Sequence, residues 1–364
     1  MRVRHLMTDW TFLLPVAAVV VLTVAWGRTV PVWAAAILTL LLAGAVLAAV
    51  HHAEVVAMRV GEPFGSLVLA VAVTVIEVAL IVTLMISGGS KASSLARDTV
   101  FSAVMITCNG VVGVSLLRGS LRRRVALFNA EGTAAALTTV VTLTTLSLLL
   151  PAFTTSGPGL QFSTAQLVFA AAASLVLYLL FVGIQTVRHR DYFLPITSDG
   201  TVVDSEEHAS VPSPRASFFS LVLLLVALVA VVGDAKIVSP TIERGVKAAG
   251  YPPSVVGVII ALVILMPETL AAVRAAGRDR IQTSLNLAYG SAMASIGLTI
   301  PTIAVASIWL RGPLVLGLGP TQIVLFALTA AAGILTTGPG RATALQGGVH
   351  LAILAAFLFL AFNP

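Results

Sequence analysis

Apolar residues run through this chain in blocks longer than a soluble core requires, and short polar or Gly/Pro-containing intervals separate them. Reading blocks against breaks predicts eleven membrane-spanning helices, at about 10–26, 31–50, 66–86, 99–117, 134–151, 165–187, 217–233, 254–273, 283–309, 321–336 and 348–362. Most come close to the roughly 20 residues that a helix needs to cross the hydrocarbon core of a bilayer. The breaks are chemically sharp, as in Arg118 to Arg124 after the fourth block and Ser156-Gly-Pro-Gly159 after the fifth. Within the blocks Ala, Leu and Val dominate, with scattered Gly, Ser and Thr, small residues that let helices approach closely in lipid. The first block follows Arg2 and Arg4 like the start of a signal peptide. No small-residue cleavage site follows Trp26, so a retained helix is expected.

One long polar stretch, 188–216, carries Asp204-Ser-Glu-Glu-His208 and then Pro212 and Pro214, and reads as a cytoplasmic linker. Six predicted spans precede it and five follow. An N-terminal extra helix (1–30) and two five-helix units (31–187 and 217–364) account for the count. Five is odd, so two such units in one chain run in opposite orientations, which is the arithmetic of an inverted repeat in a secondary transporter. The expected fold is an all-α integral membrane protein of about eleven transmembrane helices. Fourteen of the 21 Lys and Arg residues fall on segments that share a side with the N-terminus. The positive-inside rule then puts the N-terminus in the cytoplasm and the C-terminus outside, in the cell's inner (plasma) membrane.

Composition agrees. Hydrophobic residues make up 58% of the 364 and charged residues only 10%, with mean hydropathy +1.03. Ordinary soluble domains carry about 25% charged residues. The net charge of +6 is explained by basic loop residues that set topology, so no nucleic-acid partner is expected. The lone cysteine, Cys108, permits no disulfide within the chain, and no Cys/His zinc spacing is present. No H-E-x-x-H motif and no nucleophile paired with a base lies in any span, which argues against an intramembrane enzyme and a bound cofactor.

Of the fifteen acidic residues, only Glu77 and Glu268 lie well within predicted spans. An ionisable side chain at membrane depth costs at least ~2.5–3.5 kcal/mol, so each is a functional candidate by default. Each sits on the second helix of its five-helix unit, and inverted packing would bring the two together near the midplane. A pair of carboxylates there supplies hard oxygen ligands for a metal cation such as Ca2+. Empty, two close carboxyls out of water hold protons. Cation and protons then compete for the same oxygens, as coupled exchange requires. The same acids could line a proton-uncoupled cation channel, or each could be a hydrogen-bonded structural residue.

Other polar residues are weaker candidates. Thr74 lies one turn before Glu77 on the same helical face. Pro267, directly before Glu268, should disturb its helix and free backbone carbonyls. Asn109, Asn286, Ser291 and Gln346 could support a cation, or could form helix–helix hydrogen bonds. His51, His52 and Glu54 end the second span and could sense pH. Glu62 stands at the entrance of the third span and could guide cations. His350, at the start of the last span, reads as interfacial.

The stretch Gly61-Glu-Pro-Phe-Gly-Ser66 running on to Glu77 resembles the first signature helix of the calcium/cation antiporter superfamily, in its cation/proton exchanger branch of bacterial ChaA-type antiporters. Arg97-Asp-Thr99, Phe128-Asn129 and Pro151-Ala-Phe153 fit the following helices, and Pro267-Glu268, Gly290-Ser-Ala292, Pro301, Gly340-Arg341 and Gly347 continue the likeness to the end. The resemblance runs from about residue 50 onward. It implies an extra helix plus two inverted five-helix repeats, exchange of Ca2+, or of Na+ or K+, against H+, and Glu77 and Glu268 as the paired acids that bind the cation and carry protons. The chain departs from the family where a Gly-Asn pair precedes each acid, with Val73-Thr74 and Leu265 standing there. Thr343 and Gln346 replace an Asn and a Glu near the final helix. Fewer amide and carboxylate ligands weigh against high-affinity Ca2+ selectivity.

Overall fold

The computed structural model describes residues 9–28, 30–61, 64–88, 93–196, 212–309 and 312–364. Thirteen α-helices carry nearly all of its regular structure: α1 (Trp10–Ala25), α2 (Val32–Val60), α3 (Phe64–Gly88), α4 (Leu95–Met105), α5 (Val112–Arg123), α6 (Ala130–Thr144), α7 (Thr164–Gly183), α8 (Pro214–Ala248), α9 (Ser254–Ile264), α10 (Met266–Gly277), α11 (Ile281–Ala306), α12 (Pro320–Thr337) and α13 (Ala344–Phe362). A buried π-helical turn, Ile106–Val111, joins α4 to α5 in one span. Among the described residues, eight helical runs are long and apolar enough to cross a membrane, or nine if the bent pair α9–α10 is one span. Two further apolar helices are shorter: α1, and the stretch Val71–Ile86 of α3. The protein is therefore an all-helical, multi-pass membrane protein.

Two helices outrun the expected spans. The second was expected to end near residue 50, but α2 continues to Val60, so His51, His52 and Glu54 lie inside it. The seventh was expected to stop at 233, but α8 continues through Asp234 and Lys236 to Ala248. Polar residues interrupt the hydropathy of a helix without interrupting its backbone hydrogen bonds.

By internal contacts the chain forms two compact units. The first holds α1, α2, α3, α8 and α9; the second holds α4 to α7, α10 from Glu268, and α11 to α13. Each unit therefore takes helices from both sides of the polar 188–216 stretch. In the first unit α2 packs against α1, α3 and α8. Ala45, Val46, Ala48, Ala49 and Ala53 of α2, and Ala227, Ala230 and Val231 of α8, are wholly buried. Helix α1 lays Leu14 over Gly44 of α2 and Leu22 over Gly233 of α8, where a Cβ would stand only 2.9 and 2.5 Å from leucine methyl carbons.

The second unit packs α5 on α13 and α7 on α11. Gly347 of α13 sits against the backbone of α5: a Cβ there would stand 2.7 Å from Leu117 N and 2.9 Å from Gly113 O. Ser115 and Ser284 share a hydrogen bond of 2.6 Å between α5 and α11. A two-residue antiparallel ladder, β1 (Ala126–Leu127) with β2 (Arg341–Ala342), ties the start of α6 to the start of α13. The turn before β2 uses Gly340 at φ 65°, a left-handed conformation that favours glycine. The expected linker does not begin free at 188. A 3-10 turn, Arg190–Phe193, docks there, with the Phe193 ring buried edge-on against Phe181 at 5.5 Å. Large apolar side chains that stay exposed, such as Phe169, Val176 and Leu180 on α7 and Val324 and Leu335 on α12, suit a lipid-facing surface.

Gly347→Val should drive a branched side chain into the α5 backbone and cost about 2 kcal/mol or more. The thermal midpoint of the purified protein should fall, while Gly348→Ala, whose Cβ would meet nothing within 4 Å, should leave it unchanged.

Candidate functional site

Glu77 lies on α3 of the first unit and is 4% exposed. Its neighbours along the helix are apolar and equally shut in: Ile76, Leu80 and Ile81 are at most 2% exposed. Thr74, one turn earlier, is also buried. Helical spacing puts Thr74, Glu77 and Ile81 on one face. That face is buried, so the acid occupies a protein interior instead of a lipid-facing surface.

The same unit contains an acid that sequence reading missed. Asp234 on α8 is fully buried, and neither carboxyl oxygen has a hydrogen-bond partner among the described residues. The expected span stopped one residue short of it, because Asp234 and Lys236 read as a helix end. The apolar pattern resuming at Ile237-Val238 was the available signal.

Helix α2 separates the two histidines. His52 is buried and its Nε2–H donates to Thr11 O at 3.0 Å, which fastens the start of α1 to α2. Its neighbour His51 is exposed, with its ring 6.1 Å from that of Trp10 and 5.5 Å from that of His52. Glu54 is exposed. Of this group only His51 and Glu54 are open to solvent, while His52 serves as a tether. Glu62 lies outside the described residues.

Glu268 belongs to the second unit and stands in the first turn of α10. The span breaks at Leu265, whose N–H closes α9 on Ala261 O at 2.9 Å, and α10 then restarts at Met266. Pro267 has no N–H to give to the preceding turn, which fits it to a helix's first turn and not to its interior. The break thus sets Glu268 where free backbone N–H groups and the positive end of the helix dipole favour negative charge. The side chain is half-buried, and its Oε2 is out of reach of solvent.

The other expected ligands of the second unit are bound into the protein. Asn109, in the π turn, is wholly buried; it donates to Thr329 Oγ1 at 3.0 Å and its Oδ1 lies 3.2 Å from His350 Nδ1. That contact makes Nδ1 the ring donor, so His350 Nε2 accepts from Thr336 Oγ1 at 3.2 Å. His350 is 1% exposed, so it is a core histidine instead of the expected interfacial one. Asn286 donates to Phe193 O at 2.7 Å and its Oδ1 accepts from Gln282 at 2.8 Å, while Gln282 Oε1 accepts from Asn129 N at 2.7 Å. This network fastens the turn after α7, and the start of α6, to α11. Ser291 is half-buried on α11. Gln346 accepts from Thr343 N at 2.8 Å and completes a capping box at the start of α13, so it acts as a helix cap. Arg97 and Asp98 form a partly buried ion pair at 2.8 Å at the start of α4, and Arg97 also donates to Gly317 O at 3.1 Å. Among the described residues no group of three or more His, Cys, Asp or Glu side chains gathers to hold a metal ion.

A multi-pass helical protein with single acids set in its apolar helices, at a helix break in one case, has the construction of an ion transporter. The chain belongs to the sodium/calcium exchanger protein family, which it matches over residues 30–187 and 219–363. That family is one of transporters and not of enzymes. The chain is 45% identical to a putative ionic transporter, y4hA, of Sinorhizobium fredii (strain NBRC 101917 / NGR234), over 98% of its own length and 96% of that protein. It is 33% identical to the sodium-potassium/proton antiporter ChaA of Escherichia coli (strain K12), over 99% of this chain and 98% of that one. Among solved structures, native YfkE has the same fold, with a TM-score of 0.72 over 97% of this chain and 100% of that one, at 17% identity.

The two kinds of buried polar group should respond oppositely to apolar replacement. Asn109→Leu strands its partners on His350 and Thr329 and should destabilise by about 2 kcal/mol. Asp234→Leu removes a group with no described partner and should hold or raise the thermal midpoint of the purified protein.

Proposed function

We propose that this cation exchanger is a proton-coupled antiporter, in which a cytoplasmic cation and protons compete for the carboxyl groups of Glu77 and Glu268. The observation that carries the reading is the placement of the two acids. Glu77 is buried on α3 and Glu268 stands in the first turn of α10 after a helix break. The two helices are the corresponding members of the halves before and after the polar stretch. An acid at membrane depth is tolerated when it holds either a proton or a cation. Protons entering the cell would displace the cation outward, with the N-terminus cytoplasmic and the inner membrane as the site of action, in line with the bias of Lys and Arg.

Ca2+, Na+ and K+ are the candidate ions. Two carboxylates sharing one ion would favour a divalent cation. The relative named as a sodium-potassium/proton antiporter, similar over nearly the whole chain, favours monovalent ions. Asp234, buried in the same unit as Glu77, is a third acid available to the cycle.

In proteoliposomes with an imposed pH gradient, the wild type should drive uphill uptake of at least one of the three cations. Glu77→Gln or Glu268→Gln should lower that flux about 100-fold, equivalent to about 2.7 kcal/mol. Asp234→Asn should lower it less. Because protons compete, lowering the pH on the cation-binding side should raise the half-saturating cation concentration, by up to ~10-fold per pH unit for each competing proton. Unchanged exchange in either Gln variant refutes the assignment, and cation flux that never runs uphill identifies a channel.

A further inference from the structure

We infer that the end of α1 and the C-terminal third of α8 form a binding site for the phosphate group of an anionic lipid, independent of the transport reading. A cavity of about 240 Å³ opens between these elements, within the first unit. Arg28, Lys236 and Arg244 all line it, together with Trp26 and Thr241, and among the described residues no carboxylate does. Neither ion pair found among the described residues, Arg97–Asp98 and Arg123–Asp279, involves any of these three cations. The one acid of this stretch of α8 outside the core, Glu243, accepts instead from Ser239 Oγ at 3.0 Å. Three like charges on one small cavity repel one another, and an anion placed among them removes that cost.

The donors are arranged for an oxyanion. Arg244 gives Nε–H to Pro240 O at 3.0 Å and one Nη2–H to Thr241 Oγ1 at 3.1 Å, which fixes its guanidinium plane and leaves further N–H groups to offer. Guanidinium groups meet phosphate oxygens in a two-pronged geometry, and an ammonium adds a point charge. Lys236 Nζ is held 5.1 Å from the centre of the Trp26 ring, which keeps the ammonium at the cavity mouth. Trp26 is 58% exposed just past the last turn of α1, and amphipathic indoles of this kind sit at the headgroup level of a bilayer. Val30, Ile237 and Pro240 complete an apolar wall. A cationic cavity with an indole and an apolar wall at the end of a spanning helix suits a lipid headgroup better than a freely diffusing ion. A bound headgroup would clamp α1 to α8 and add to the packing of Leu22 on Gly233.

The test uses the full-length protein, stripped of lipid in an uncharged detergent. Phosphatidylglycerol, phosphatidylcholine and inorganic phosphate are added separately, and the thermal midpoint and the bound lipids, counted by native mass spectrometry, are read. We expect phosphatidylglycerol to raise the midpoint by several degrees and to remain bound, and phosphatidylcholine to do neither. Arg28→Gln with Arg244→Gln should abolish the difference, and Lys236→Arg should retain it. Protection by inorganic phosphate equal to that by phosphatidylglycerol would keep the phosphate site but assign it to the free ion. Equal binding of the two lipids by the wild type, or an unchanged phosphatidylglycerol effect in the double variant, overturns the proposal. If the double variant fails to fold, the comparison of lipids on the wild type alone decides.

Discussion

The structure depends on one constraint: a polar group at membrane depth is costly unless the protein itself supplies its partner. Two networks of the second unit show how it is met. Asn109, Thr329, His350 and Thr336 form one closed chain of hydrogen bonds, and Gln282, Asn286, Asn129 and Phe193 form another. These hydrogen bonds fix helices to one another. The acids Glu77 and Asp234, which are buried, and Glu268, which is half-buried, differ in kind from the side chains of those networks, because a carboxyl changes charge with its occupant and an amide does not.

Small residues make such interiors possible. Gly347 lets α13 touch the α5 backbone, and Gly44 and Gly233 receive the leucines of α1. In lipid, apolar side chains gain little by leaving one hydrocarbon for another, so close backbone approach and internal hydrogen bonds supply the cohesion. Long helices follow from the same logic. Helix α8 keeps Asp234 in the core and carries Lys236 to an exposed position two residues on, where its ammonium finds an indole face.

Most of the fold was legible in the sequence because hydropathy blocks report membrane helices directly. A helix or helix pair stands at each predicted span, and Glu77 and Glu268 stood out as acids within apolar blocks. Helix ends were less legible. His51, His52, Glu54 and Asp234 are polar, and hydropathy takes polar residues as boundaries although the backbone continues through them. The ladder of Ala126–Leu127 with Arg341–Ala342 left no trace, since two residues carry no period. Nor could a sequence show that Asn109 and His350 bond each other across 241 positions, or that Gln346 completes a helix cap. Those roles arise from partners brought together only by folding.

The central claim is that one set of carboxyls holds either a cation or protons. It is tested most directly by adding Ca2+, Na+ or K+ to the purified protein in a weakly buffered detergent solution and recording the pH. The account predicts that the transported cation releases protons on binding, and that the release disappears when Glu77 and Glu268 are both glutamine. Saturable cation binding with no proton release, or release that persists in the double variant, would contradict it.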